Sequence, residues 1–273
     1  MKHFRHVSNL PLISKFLEEV VLIQLGNFFF LSGNNLREIF QSAYKQNHST
    51  EIAVLSVLAG LFGSAKKRLV YLLALLDLST VFDTLDHSIV LKRLETTYGV
   101  RGTVLDWFVS YLSGRSQSVI VDGVVSASRH LVYGVPQGSV LGPVLFTLYS
   151  QPLSDVISVH NCDYHKYADD TELSKSAPPD QFTSALSCIQ TCIDDVLLWM
   201  NSHKLKLNTG KTEVMPVGSA SRLESVDSEC VNTGGNSVPF KTSVKYLGIH
   251  LDRTLSMQQH ISSICRASFL ELR

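Results

Sequence analysis

Two adjacent carboxylates, Asp169 and Asp170, follow Lys166-Tyr167-Ala168 and precede Thr171-Glu172-Leu173. Neighbouring side chains of a strand point to opposite faces, so two acids in succession suit a tight turn at a hairpin tip, where both can approach one site. Charge concentrated in this way favours a bound cation. Hard divalent ions such as Mg²⁺ take oxygen ligands and are held by one or two carboxylates together with substrate phosphates. A third carboxylate, Asp77, directly follows the apolar run Leu69-Val70-Tyr71-Leu72-Leu73-Ala74-Leu75-Leu76. An acid in that position stands at the carboxyl end of a buried strand, where sites in open α/β sheets gather. Adjacent acids are also common in solvated turns. What sets this pair apart is the stretch between the acid sites, Gly134-Val135-Pro136-Gln137-Gly138-Ser139-Val140-Leu141-Gly142-Pro143-Val144-Leu145-Phe146, a rigid turn followed by an apolar helix.

These residues need elements to carry them. Residues 69–76 read as a buried strand delivering Asp77. After it, Ser79 or Thr80 caps a helix through Val81, Phe82, Leu85, Ile89, Val90 and Leu94, stopped at Gly99, with Asp83 and Asp86 as surface acids. Residues 14–25 have helical spacing, with Ile13, Phe16, Leu17, Val20, Val21 and Ile23 apolar and Glu18-Glu19 solvated. A second helix follows Ser49-Thr50, a third spans 104–112, and 115–133 reads as a hairpin turning at Asp122-Gly123. A long core helix carries Leu186, Ile189, Ile193, Leu197 and Met200. Residues 204–214 alternate like a strand interrupted by a turn, and 219–237 read as a polar, Gly-rich loop.

With 273 residues, 45% of them hydrophobic, the chain can bury a sizeable core. Its formal net charge is zero, which counts against tight autonomous gripping of a nucleic-acid backbone. Five cysteines without Cys-x-x-Cys spacing argue against zinc and suit a reducing intracellular compartment, cytoplasmic or nuclear. No secretory leader opens the chain, and its apolar runs are too short to span a bilayer. Gly138-Ser139-Val140-Leu141-Gly142 is not the Gly-x-Ser-x-Gly elbow of a serine hydrolase.

Asp77-Leu78-Ser79-Thr80-Val81-Phe82-Asp83, the 134–146 stretch and Tyr167-Ala168-Asp169-Asp170 resemble, in that order, motifs A, B and C of reverse transcriptases. The resemblance extends to the polymerases of non-LTR retrotransposons, the LINE-like elements including the jockey type. Arg5-His6-Val7-Ser8-Asn9-Leu10-Pro11 resembles their fingers motif and His48-Ser49-Thr50-Glu51 a segment before motif A. Residues 204–214 resemble motif D and 244–252 motif E. His6 stands where the family usually has proline, and Ala43-Tyr44-Lys45 where it carries a Gly-Phe-Arg-like stretch.

The resemblance implies an α/β (α+β) polymerase palm, an antiparallel sheet flanked by helices, with partial fingers and the thumb largely absent. Residues 1–68 would be partial fingers, 69–252 the palm with an inserted fingers segment (reverse transcriptase domain 1–252), and 253–273 the start of a connection to the thumb. It implies two Mg²⁺ ions, with Mn²⁺ as a substitute, on Asp77, Asp169 and Asp170, and Lys211 as proton donor or charge partner for pyrophosphate. Arg5, Phe82, Gln137 and Gly138 would bind the incoming deoxynucleoside triphosphate, Phe82 by packing beneath its sugar and excluding a 2′-hydroxyl. Gly134, Arg115, Tyr246, Leu247 and Gly248 would contact the RNA template and DNA primer. The alternatives are an inactive palm-fold remnant that binds nucleic acid or acts as a scaffold, and an RNA-templated RNA polymerase, against which Phe82 argues.

Overall fold

A computed structural model of the chain describes residues 8–31, 40–45, 47–79, 81–208 and 210–271. It divides into two compact units, one of Met1–Glu38, Thr80–Pro152 and Met200–Lys206, the other of Ile39–Ser79, Leu153–Trp199 and Leu207–Arg273.

The second unit is built on a four-stranded antiparallel sheet. Its strands are β1 (Val70–Leu76), β2 (Asp163–Tyr167), β3 (Asp170–Ala177) and β4 (Glu213–Val217), in the order β4-β1-β3-β2. Strand β1 has a partner on each side and is buried along almost its whole length, which explains why its sequence is apolar without alternation. Tyr71, Leu73, Met215 and Val217 on one sheet face pack against Val54, Val57 and Leu61 of helix Thr50–Lys66. That helix also exposes Ile52, Leu55 and Phe62, and carries Glu51 in its first turn and Lys66 in its last, the signs its dipole favours.

Residues 219–237 are not one loop. They hold a short helix, Ala220–Leu223, followed by strand β5 (Cys230–Thr233), and β6 (Asn236–Pro239) returns antiparallel to β5 across Gly234-Gly235. Both glycines have positive φ, as a tight hairpin turn requires. The carboxylate of Asp194, on helix Phe182–Ser202, accepts from Thr233 Oγ1 at 2.8 Å and Gly234 N–H at 2.9 Å. That anchor comes from distant sequence, so local polarity alone reads as loop. A last hairpin, β7 (Ser243–Tyr246) and β8 (Ile249–Asp252), turns at Leu247-Gly248 and contributes Val244, Tyr246 and Leu251 to the same core as β1.

The first unit is mainly helical, with helices Leu12–Gly26, Val81–Thr84, His87–Thr96, Thr103–Leu112 and Gly142–Ser150. The single helix expected after Asp77 is broken at Leu85-Asp86, because Asp86 caps His87–Thr96 by accepting from the Ser88 and Ile89 N–H groups. Thr80, one of the expected caps, lies outside the described residues. The expected hairpin within 115–133 is present, Ile120–Val121 pairing with Val124–Val125 across Asp122-Gly123. Among the described residues no helix is long and apolar enough to cross a membrane.

Helix Leu12–Gly26 forms where its spacing predicts, but with the opposite face inward. Ile13, Phe16, Leu17, Val20 and Ile23 are exposed, whereas Glu18 is only 1% exposed. Its carboxylate accepts from Val140 N–H at 2.7 Å and Leu141 N–H at 3.1 Å. Helix Gly142–Ser150 has Leu141 at its N-cap position, without a side-chain oxygen to cap the first turn. Glu18 supplies that acceptor from another helix, so it is not the solvated acid its sequence context predicts. Glu18→Ala, which takes this acceptor from one buried and one half-buried N–H group, is expected to cost roughly 2–3 kcal/mol. Urea unfolding monitored by circular dichroism measures it, and Glu18→Gln, which keeps an acceptor oxygen, should recover part of the loss.

Candidate active site

In the sheet unit, Leu76 pairs with Thr171 across β1 and β3. One step further in that antiparallel register, Asp77 faces Asp170. The strand end is held from the other side, where Asn208 N–H donates to the Asp77 carbonyl at 2.9 Å. β2 and β3 join through Ala168-Asp169, with Tyr167 paired to Asp170, so the adjacent acids occupy a hairpin tip. Asp77, Asp170, Lys211, Lys245, Tyr246 and Leu247 line one cavity of about 310 Å³. Gly248 completes the turn beside Leu247.

The electrostatics fit a cation. Burial, followed by the charges of Asp169 and Asp77, pushes the Asp170 carboxyl up to about 6, with Lys211 opposing the rise. The Lys211 ammonium lies 3.3 Å from Asp77 Oδ2, a positive charge already drawn to the acids. Among the described residues no three His, Cys, Asp or Glu side chains are arranged as a ready-made metal cage. The oxygen donors that line this cavity, the Asp77 and Asp170 carboxylates, are of the type hard divalent cations take. Behind the acids, Glu172 is fully enclosed and burial raises its carboxyl to about 7, while Tyr71 Oη donates to it at 3.2 Å. The Tyr246 hydroxyl is buried with no hydrogen-bond partner among the described residues.

In the helical unit the motif B turn is built closely against the segment after motif A. Gly134 N–H donates to the Leu85 carbonyl at 2.8 Å and Val135 N–H to the Phe82 carbonyl at 2.6 Å. The Gln137 side-chain amide donates to the Asp83 carboxylate at 3.3 Å, and its backbone carbonyl accepts from Ser8 N–H at 2.9 Å. Phe82 is half-buried against Phe146, ring centroids 5.9 Å apart. Gly138 has φ +99. The Arg115 guanidinium lies over the Tyr111 ring and donates to the Tyr111 carbonyl at 3.3 Å. Arg5 lies outside the described residues.

Gly134 has two reasons to be glycine. Its φ is +81, and a Cβ there would stand 2.8 Å from the Phe82 carbonyl oxygen and 2.9 Å from Asp83 Cα. Gly134→Ala is therefore expected to destabilise by at least about 2 kcal/mol, strain and backbone clash together. Gly123 shares φ +81 but opens onto empty space, so Gly123→Ala should cost only about 1 kcal/mol. Thermal melts of the two variants separate the clash from the strain.

A model of the family described as "Reverse transcriptase (RNA-dependent DNA polymerase)" matches residues 1–251. The "RNA-directed DNA polymerase from mobile element jockey" of Drosophila funebris is 28% identical over 269 residues, 96% of this chain and 28% of that protein. Its Drosophila melanogaster namesake is 28% identical over 273 residues, 97% of this chain and 28% of that protein. The "Probable RNA-directed DNA polymerase from transposon BS" of Drosophila melanogaster is 25% identical over 99% of this chain and 30% of its own length. The chain thus spans less than a third of the relatives it matches. Among solved structures, apo telomerase from Candida tropicalis truncated from its C-terminal domain is similar with TM-score 0.60, 13% identity, 89% of this chain and 44% of that chain covered. Telomerase from the same organism with a TWJ fragment of telomeric RNA gives TM-score 0.55 at 12% identity, over 90% of this chain and 37% of that one. At such identities the likeness shows the fold, a polymerase palm of mixed helix and antiparallel sheet.

Proposed function

We propose, because this chain belongs to the reverse transcriptase (RNA-dependent DNA polymerase) family of non-LTR retrotransposons, that its sheet unit carries the centre for template-directed nucleotidyl transfer. The family generally uses divalent metal ions and binds an RNA template. Asp77, Asp169 and Asp170 would hold two Mg²⁺ ions, for which Mn²⁺ could substitute. Bound there, they would supply Lewis acidity toward the primer 3′-hydroxyl and compensating charge for the departing pyrophosphate. The observation that carries this is that Asp77 and Asp170, at the ends of paired strands, line one cavity, with burial first and the neighbouring carboxylates second raising the Asp170 carboxyl to about 6.

The chain's own residues have separable tasks. In the reaction, the primer 3′-oxygen bonds to the α-phosphorus of a deoxynucleoside triphosphate as the bond to pyrophosphate breaks. Lys211, an ammonium among the acids, can donate its proton or its charge to that leaving group. Tyr246, Leu247 and Gly248 are assigned to the primer end. In the helical unit, Phe82, Gln137 and Gly138 are assigned to the incoming nucleotide, as is Arg5, and Gly134 and Arg115 to the template. Residues 69–252 are assigned to the palm with an inserted fingers segment, 1–68 to part of the fingers and 253–273 to the start of a connection to a thumb.

The test is extension of an oligo(dT) primer on poly(rA) with labelled deoxynucleotide and Mg²⁺, beside Asp169→Asn. Extension that is lost in the variant supports the assignment. A folded wild-type chain that binds the primer–template at saturation without extending it would instead be a palm-fold binding protein.

A further inference from the structure

The turn that presents Asp169 and Asp170 is not held by its own sequence. Tyr167 and Asp170 are paired, which leaves Ala168-Asp169 as a two-residue loop, and Ala168 has φ +57. That backbone region favours glycine, and a residue with a Cβ stays there only where its surroundings impose it. The imposing group is Gln41, 127 residues earlier and only 3% exposed. Its Oε1 accepts from Ala168 N–H at 3.0 Å, and its Nε2 donates to the Ala168 carbonyl at 3.3 Å. Both backbone polar groups of the strained residue are thus held by one side chain, including the carbonyl of the peptide that leads into Asp169.

The clasp is itself fixed at its base. Gln41 Oε1 also accepts from Ala43 N–H at 2.9 Å. On either side of it, Lys166 N–H donates to the Phe40 carbonyl at 2.7 Å and Ser42 N–H to the Lys166 carbonyl at 3.0 Å, so segment 40–42 runs as a partner along β2. A donor and an acceptor on one planar group are needed for this contact, and among side chains of this length only glutamine supplies both. Water is excluded at Gln41, so it does not compete for these bonds.

We propose that Gln41 is a positioning residue for the acid-bearing turn: its amide fixes the Ala168-Asp169 loop so that the carboxylates are set for the cation before substrate arrives. The proposal rests on the polymerase reading above, but one arm of its test needs no nucleic acid. Gln41→Met keeps the side-chain volume and removes the amide. Gln41→Glu keeps the acceptor and loses the donor. For both, and for the wild-type 273-residue chain, Mn²⁺ binding is titrated by electron paramagnetic resonance, and kcat and the deoxynucleotide KM are measured by primer extension, with circular dichroism confirming the fold.

Groups that orient metal ligands from behind typically account for 10–100-fold in affinity or activity. Gln41→Met is therefore expected to weaken Mn²⁺ binding and lower kcat each by about tenfold or more. The deoxynucleotide KM should move by less than about twofold, since the nucleotide-binding groups are untouched, and Gln41→Glu should fall between Gln41→Met and wild type. A folded Gln41→Met protein with wild-type Mn²⁺ affinity and kcat overturns the proposal. So does a loss confined to KM. If the wild type binds Mn²⁺ without extending a primer, the polymerase reading fails while the Mn²⁺ arm still decides Gln41. A wild type that does neither refutes both.

Discussion

Asp77→Asn is expected to lower primer extension by roughly 10³-fold or more, the rate equivalent of about 4 kcal/mol of lost transition-state stabilisation at a metal site, while the chain melts almost as wild type. Asp77 contributes little to the fold through its side chain. Its ion pair to Lys211, at 3.3 Å, joins an ammonium that is 64% exposed, and exposed pairs are worth at most about 1 kcal/mol. The contact that ties the strand end to Asn208 uses the Asp77 backbone carbonyl and survives the substitution. The charge removed is one of those that hold the Asp170 carboxyl up, so the Asp170 pKa should fall and the like-charge repulsion should ease. The melting temperature is therefore expected to stay within about 2–4 °C of wild type. Extension rates at saturating nucleotide, measured beside a thermal melt, separate the two effects. Residual activity above a tenth of wild type would remove Asp77 from the metal set, and a collapsed melt would make it a structural residue.

How much of this was legible in the sequence depended on whether the controlling contact is local. β1 shows itself because a strand with partners on both sides is apolar throughout, and the hairpin tips at Asp122-Gly123 and Leu247-Gly248 carry their turn residues in place. Asp77 and Asp170 could be read together because Asp77 follows a buried strand and Asp170 opens another. Glu18 could not be read that way. It sits on a helix whose apolar residues are mostly exposed, and the two backbone N–H groups it caps are more than 120 residues away. Gln41 was equally hidden, since the strain it restrains appears as an ordinary alanine in the sequence. Asp86 was missed for a different reason. The apolar spacing continues through Leu85 and Ile89 as if one helix ran on, and only the cap reveals the break. Cysteine spacing likewise gave no hint that Cys162 lies 3.4 Å from Cys188.

Phe82→Ala is expected to relax the choice between sugars, raising incorporation of a ribonucleotide relative to its deoxy counterpart on the order of 10²-fold. The 2′-hydroxyl is the group that distinguishes the two substrates, and a ring can exclude it only if the ring is held still. Phe82 is held by its backbone more than by its own helix, which is four residues long. Its carbonyl accepts from Val135 N–H at 2.6 Å, and Gly134 lies too close to the same oxygen to tolerate a Cβ. Phe146, 1% exposed, supports one side of the ring, while Phe82 itself remains half-buried. A fully buried phenylalanine would lose about 3–5 kcal/mol on truncation to alanine, and a half-buried one should lose about 2 kcal/mol. Core packing and sugar exclusion therefore predict different outcomes for one variant. If Phe82 is core, stability falls by the larger amount and the ratio of kcat/KM for the two sugars is unchanged. If it gates the sugar, the ratio shifts with only the smaller loss of stability, and Phe82→Leu, which restores part of the bulk, should recover part of the discrimination.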